Sequence, residues 1–357
     1  MELMEPKIVK WRNMRDDSIY SKATSERIRY FSSMGQKLIC DADTHISDLT
    51  RLSSSMANRM AQNPDYFHGK PIGSTELLAE MDTAGVDVSL IWQNPAATVY
   101  PGSPEADYKV LFAANKYIAD SAAAHARRFV PAGWIDPKAL GKEKAIELAR
   151  YCVQEFHFPV VKLNPAQNAF PIDSATVIEC AQAIASTGAI PAFHFGADTE
   201  FTPAEGLERL AVSLKPSPLI AVHMGGGGAS YLEAEALYQE ARALGLRRKN
   251  IFYVFSAKRD THMESDLISY QLAGEPYCRN IACGSDAPYG RQSFNFGGFR
   301  SMFASLSAGM THTDPRVRSN PDLFTIEALS PYLGRNLIDL VLAAYSRIGF
   351  DTGCPAS

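Results

Sequence analysis

Five side chains in this sequence have the types and placement to hold a metal ion. They are Asp43, His45, His194, His223 and Asp286, and each follows a short apolar run. In "CDADTHISD" an acid and an imidazole stand two residues apart, at Asp43 and His45. Alternate residues of a strand share a face, so a strand through 38–45 would project the two side by side. His194 ends "IPAFH", His223 ends "PLIAVH", and Asp286 closes "NIACGSD". An unpaired charge among apolar walls is costly, and a divalent cation removes that cost while using the lone pairs. Imidazole with carboxylate suits Zn²⁺ first, and a carboxylate-rich set also suits Mn²⁺. The expected ligands of one such ion are Asp43, His45, His194 and Asp286. His223 is left as an acid or base, and Asp286 doubles as a proton carrier.

The runs that end in these residues repeat. "KLICDAD", "VDVSLIWQ", "RFVPAGWID", "FPVVKLNP", "AIPAFHFG", "PLIAVHMGG", "NIFYVFSA" and "RNIACGSDAP" read as eight strands. Between them lie stretches of helical period, such as "GKEKAIELARYCVQEF", "DSATVIECAQAIAST" and "ASYLEAEALYQEARAL". From the third strand onward the mid-strand positions fall about 30 residues apart, one βα unit each. Eight such units predict a (β/α)8 TIM barrel with an N-terminal extension and C-terminal helices. A doubly wound open sheet is the competitor, but no G-x-G-x-x-G follows the first strand. The "GGGG" at 225–228 follows strand six, where it can serve a tight turn into the next helix, with phosphate binding as the weaker alternative. Residues 1–36 are expected as an extension, a candidate helical arm for a homodimer, and residues 37–357 as one metal-dependent barrel domain. In such a barrel, catalytic groups sit at the C-terminal ends of strands.

The bulk properties narrow the function classes. The chain has 357 residues, 46% hydrophobic and 21% charged, with a formal net charge of −4. That balance gives no electrostatic case for nucleic acid or an anionic membrane. No apolar run reaches the ~20 residues of a membrane span. The first residues lack the apolar core of a signal peptide. Six cysteines lie scattered without C-x-x-C spacing, as expected for free thiols in a reducing compartment. A cytoplasmic protein acting on a small molecule is the expectation.

Each site residue has a plainer explanation when taken alone. A histidine in an apolar strand is more often a satisfied core residue than a ligand. Asp286 precedes Ala287-Pro288 and could be a turn residue. Lys162, at the end of strand four, could reach to solvent or pair with an acid. Asn164 and Gln93 read as loop hydrogen-bonders. The case for a site rests on the shared register of strands one, five, six and eight. Lys162, Asn164, Trp92 and Arg259 are then the candidates for substrate contact.

At these positions the sequence resembles the amidohydrolase superfamily, in the branch that includes aminocarboxymuconate-semialdehyde decarboxylase. The matching stretches are "DADTH", "VVKLNPAQNAFPID", "IPAFHFG", "AVHMGGG", "CGSDAPYG" and the tail "ALSPYLGRNLIDLVL" around Asn336. The resemblance spans roughly residues 37–345. It implies a mononuclear metal held by Asp43, His45, His194 and Asp286, with His223 near the substrate. Many members carry His-x-His on strand one, whereas this chain has Asp43-Thr44-His45. An acid in the first position is similar to the aromatic-acid decarboxylases of the branch. "KLNPAQNAFP" and "FHFG" resemble the members described as hydrolases instead.

Three functions follow, in this order. The first is hydrolysis of an ester, lactone or amide of a carboxylate-bearing substrate by metal-activated water, with Asp286 as base and His223 as acid or oxyanion partner. The second is non-oxidative decarboxylation of an aromatic or unsaturated acid. The third is a non-catalytic barrel with a vestigial site.

Overall fold

Parallel strands buried on both faces read as nearly continuous apolar runs, and this chain forms eight of them. The computed structural model describes residues 18–63, 68–196, 200–226, 235–257 and 260–352. The strands are β1 (Cys40–Ile46), β2 (Val88–Gln93), β3 (Phe129–Trp134), β4 (Val160–Leu163), β5 (Ile190–His194), β6 (Leu219–Val222), β7 (Ile251–Phe255) and β8 (Ile281–Cys283). They lie side by side in chain order, every neighbouring pair parallel. Only His194 among their residues is less than fully buried.

The cylinder closes between its first and last strands. Thr44 bridges Ala287 in parallel, and the His45 amide donates to the Ala287 carbonyl at 2.6 Å. A buried acid reinforces the seam. Asp41 accepts from the backbone amides of Asp43 at 3.1 Å and Ser285 at 2.9 Å, and from Gln292 Nε2 at 2.8 Å. Burial pushes its carboxyl up to about 7 even though these donors favour the charged form. A register shift between Asp41 and Thr44 interrupts the β1–β2 pairing just where the strand reaches the seam. With eight strands the interior is just wide enough to be filled by side chains.

Helices Lys142–Gln154 and Ala175–Ser186 fall on two of the predicted helical stretches, and the second is capped by Ser174 accepting from the Val177 amide. Of the third stretch, helix Glu235–Arg247 covers the part that is described; residues 229–234 lie outside the described residues, as do 227 and 228 of the glycine run. The tail folds into short turns followed by helix Arg335–Ile348. There Asn336 donates to the carbonyls of Cys278 at 3.0 Å and Ile281 at 2.8 Å, tying the tail to β8.

Residues 1–17 lie outside the described residues. After them helix Ile19–Met34, capped by Ser18, lays Ala23, Thr24, Arg27, Ile28 and Phe31 against this chain's own barrel. Arg27 is the fastener: Nε donates to Phe129 O at 2.6 Å, one Nη to Ala122 O at 2.9 Å and the other to Tyr345 Oη at 3.2 Å. Among the described residues no helix is long and apolar enough to cross a membrane.

Candidate metal centre

Strand ends bring three donor residues together. Among the described residues, Asp43 and His45 from β1 and Asp286 from the β8 exit place one ligand atom each within 4.8 Å of one another. His45 Nε2 is 3.4 Å from Asp286 Oδ1 and 3.6 Å from Asp43 Oδ1. The His45 ring is oriented from behind: its Nδ1–H donates to the Gln93 carbonyl at 2.7 Å, which leaves the Nε2 lone pair aimed at the two carboxylates. Asp43 and His45 are buried, whereas the Asp286 side chain keeps 16% of its surface. Close approach of the β8 exit requires Gly284, where a Cβ would come within 2.8 Å of Val254 and 3.0 Å of Asp43.

Asp43 is the hub. Trp92 Nε1 donates to its Oδ1 at 3.1 Å and also lies 3.2 Å from His45 Nε2. Lys162 Nζ is 3.5 Å from Oδ1 and sits 3.7 Å above the Trp92 ring centroid. On the other oxygen, Ser256 Oγ donates at 2.7 Å. Ser256 in turn accepts from His223 Nδ1–H at 2.8 Å, which leaves His223 with a lone pair on Nε2. Burial opposes the charge on Asp43, but Lys162, His45 and His223 together hold its carboxyl well below the usual range. Burial lowers the Lys162 ammonium, against the pull of Asp43 and Asp286. It also lowers His223, to about 4, so that imidazole is neutral near pH 7. His45 is raised: burial and Lys162 push it down, and its contacts with Asp286 and Asp43 outweigh them.

Backbone strain gathers at the same end of the barrel. His223, Met224, Ala257 and Asp286 all adopt positive φ, between 47° and 76°. Non-glycine residues rarely do so, and such conformations cluster at functional sites. Here they mark the exits of β6, β7 and β8, where the turns re-aim His223 and Asp286.

His194 lies outside the three-residue group. Its ring centroid is 4.7 Å from that of His223, so β5 and β6 present a pair of imidazoles beside the carboxylate cluster. Gly196 leaves room there, since a Cβ would fall 2.7 Å from His194 Nε2. The fold gives the expected substrate residues partners within the protein. Lys162 and Trp92 are almost wholly buried under Asp43. Asn164 caps the short helix Pro165–Asn168, accepting from the Gln167 amide at 3.1 Å. Arg259 lies outside the described residues. Ser256 and Trp134 were not singled out from the sequence as site residues. Trp134 Nε1 is buried without a hydrogen-bond partner, and its ring stands 6.3 Å from His45. A polar residue or tryptophan ending an apolar run was the available signal for both.

The donor set fits a divalent cation. Two carboxylates within 4.8 Å of each other repel, and an imidazole lone pair points between them. Asp43, His45 and Asp286 would hold the ion, and His194 is the proposed fourth donor.

An amidohydrolase family model, Amidohydro_2, matches residues 40–304, from the first residue of β1 to beyond the β8 exit. The chain belongs to the amidohydrolase family. No curated protein matches it. Solved structures of similar fold include a 2,6-dihydroxybenzoate decarboxylase complexed with 2,6-dihydroxybenzoate, at 14% identity and TM-score 0.59, covering 85% of this chain and 99% of that one. Another is a dihydroxybenzoic acid decarboxylase from Polaromonas with bound manganese and 2-nitroresorcinol, at 14% identity and TM-score 0.54, covering 80% and 96%. A third is a 4-oxalomesaconate hydratase from Rhodopseudomonas palustris, at 14% identity and TM-score 0.50, covering 88% and 100%. At these identities the likeness is one of fold, and it places this amidohydrolase among (β/α)8 barrels.

Proposed function

We propose that this amidohydrolase-family chain is a metal-dependent carboxy-lyase that releases CO₂ from a hydroxylated aromatic acid. The observation that carries the reading is the pair of carboxylates with one imidazole at the barrel mouth. With His194 the set has two carboxylates and two imidazoles, which suits Mn²⁺ as well as the Zn²⁺ expected first from the sequence. Support also comes from the two decarboxylases of similar fold, one of them holding manganese. Decarboxylation therefore moves ahead of hydrolysis, which stood first in the sequence reading.

A divalent cation held by Asp43, His45 and Asp286 would supply Lewis-acid polarisation of the substrate. The protein's own groups do the rest. Asp286 is the solvent-facing member of the cluster, so its carboxyl can take a proton from water and hand it to the ring carbon. The C–C bond to the carboxylate breaks, its electron pair forms the new C–H bond, and CO₂ departs. His223, held neutral by burial, donates no proton at neutral pH. It positions Asp43 through Ser256.

Hydrolysis is the second reading, favoured by the same neutral His223. Its Nε2 lone pair is able to accept a proton from attacking water.

The test is an assay of the full chain loaded in turn with Mn²⁺ and Zn²⁺. Bicarbonate release is followed from 2,6-dihydroxybenzoate and related phenolic acids, beside a panel of esters, lactones and amides. CO₂ release that falls about 10³-fold in Asp286→Asn, with the fold intact by circular dichroism, is the expected result. Turnover of an ester or lactone with no CO₂ from any acid would overturn the proposal in favour of hydrolysis. Elemental analysis of the protein is expected to give one ion per chain.

A further inference from the structure

His223 and Ser256 stand at the exits of neighbouring strands, β6 and β7. The His223 amide donates to Val254 O at 3.1 Å, which pins its backbone beside the end of β7. Both residues are buried. His223 holds φ at 76°, a conformation that non-glycine residues adopt only at a cost. Its ring lies with Nδ1 2.8 Å from Ser256 Oγ.

The direction of that bond follows from the number of protons available. A hydroxyl owns one, and an ionised carboxylate can only accept. Ser256 Oγ lies 2.7 Å from Asp43 Oδ2, so the serine proton is committed to Asp43. Toward His223 the same oxygen can only accept. Nδ1 must therefore carry the imidazole proton, and Nε2 keeps its lone pair. Asp43 is held in place by donors on its other oxygen, Trp92 Nε1 at 3.1 Å and Lys162 Nζ at 3.5 Å. Nε2 is the open end of this chain of bonds. Among the described residues nothing bonds it, and it is not one of the unpartnered side-chain atoms sealed from solvent. The ring keeps 5% of its surface. Asp286, His194, Asp43 and Lys162 are its charged and titratable neighbours, so it borders the proposed metal site.

We propose that Ser256 is a positioning residue that fixes His223 as a hydrogen-bond acceptor, and that through it the site selects acids bringing an O–H or N–H donor to Nε2. The first half is independent of the reaction, and the second rests on the carboxy-lyase reading. A site built to bond a substrate hydroxyl rejects the analogue that lacks it, because its own polar group is then left unpaired.

The test uses the full chain with ¹⁵N-labelled histidine, loaded with Zn²⁺, which leaves NMR signals sharp. Ser256→Val and Ser256→Thr have the same shape and differ only in the hydroxyl. His223→Gln identifies the His223 signals. In the wild type and Ser256→Thr, one-bond proton coupling is expected at Nδ1 and none at Nε2. Ser256→Val should move the proton to Nε2 in most molecules. Ser256→Ala gives a second reading should Ser256→Val fail to fold. Calorimetric titrations of 2,6-dihydroxybenzoate and 2,6-difluorobenzoate, similar in outline but for the donors, read the second half. The wild type and Ser256→Thr should bind the dihydroxy acid at least tenfold more tightly, and in Ser256→Val that preference should shrink about tenfold. A proton on Nε2 in the wild type, or one kept on Nδ1 in Ser256→Val, would overturn the tautomer claim. Equal binding of the two acids, or equal discrimination by Ser256→Val and Ser256→Thr, would overturn the selection claim. Should neither acid bind, the carboxy-lyase reading fails and takes the selection claim with it, whereas the NMR result alone decides the tautomer.

Discussion

Arg27 and Lys162 are both 1% exposed, yet the fold treats these two buried cations in opposite ways. Arg27, at the flank of the barrel, spreads its charge over two main-chain carbonyls and a tyrosine hydroxyl at 2.6–3.2 Å. Among the described residues no carboxylate pairs with it. Its planar fork is well matched to fixed neutral acceptors, and the three bind three separate parts of the chain. Lys162, at the mouth, has one long contact of 3.5 Å to Asp43 and otherwise rests on the faces of Trp92 and Trp134. Its ammonium is poorly satisfied and its proton loosened by burial. The first cation is bonded for permanence. The second is kept where its field acts on the carboxylate that would hold the metal.

Lys162→Met tests the contrast hardest. It should cut CO₂ release at least about 100-fold, as the loss of one preorganised electrostatic partner typically does. Thermal stability of the metal-free protein should fall, because removing one partner of a buried ion pair leaves the Asp43 charge uncompensated, and added Mn²⁺ should restore it. A fall in Tm that Mn²⁺ does not restore, with activity retained, would make Lys162 another Arg27. Arg27→Met should cost about 3 kcal/mol in urea unfolding through carbonyls left unpaired, and no metal should restore it. Turnover per folded molecule should not change. Ser256→Ala removes the hydroxyl between His223 and Asp43, and about a tenfold drop in kcat with little change in KM is expected. The smallest effect is Tyr345→Phe, which deletes only one of Arg27's three acceptors and should cost about 1 kcal/mol.

The strands were legible because burial on both faces leaves an unbroken apolar signature, and the eight runs quoted from the sequence coincide with β1 to β8. Asp43, His45 and Asp286 were legible for a related reason: a polar residue ending such a run is conspicuous. The roles of Trp92, Lys162 and Asn164 were not. Whether a strand-end residue faces a substrate, underlies a ligand or caps the next helix depends on packing that no local window contains. Arg27 and Asp41 were silent altogether. Arg27 sits 102 and 318 residues from two of its acceptors, and Asp41 is 244 from Ser285. Their neighbours in sequence say nothing of those partners. The register shift after Asp41 is equally hidden, since nothing in "CDADTH" interrupts the alternation.

The segment shared with the family begins at residue 40, but the guanidinium riveting β3 to the tail belongs to a helix that ends at Met34. Homology and autonomy therefore draw different borders. A fragment trimmed to the family's outline would carry every proposed metal ligand and still lack the pin that holds its flank shut, so its dysfunction would say nothing about catalysis.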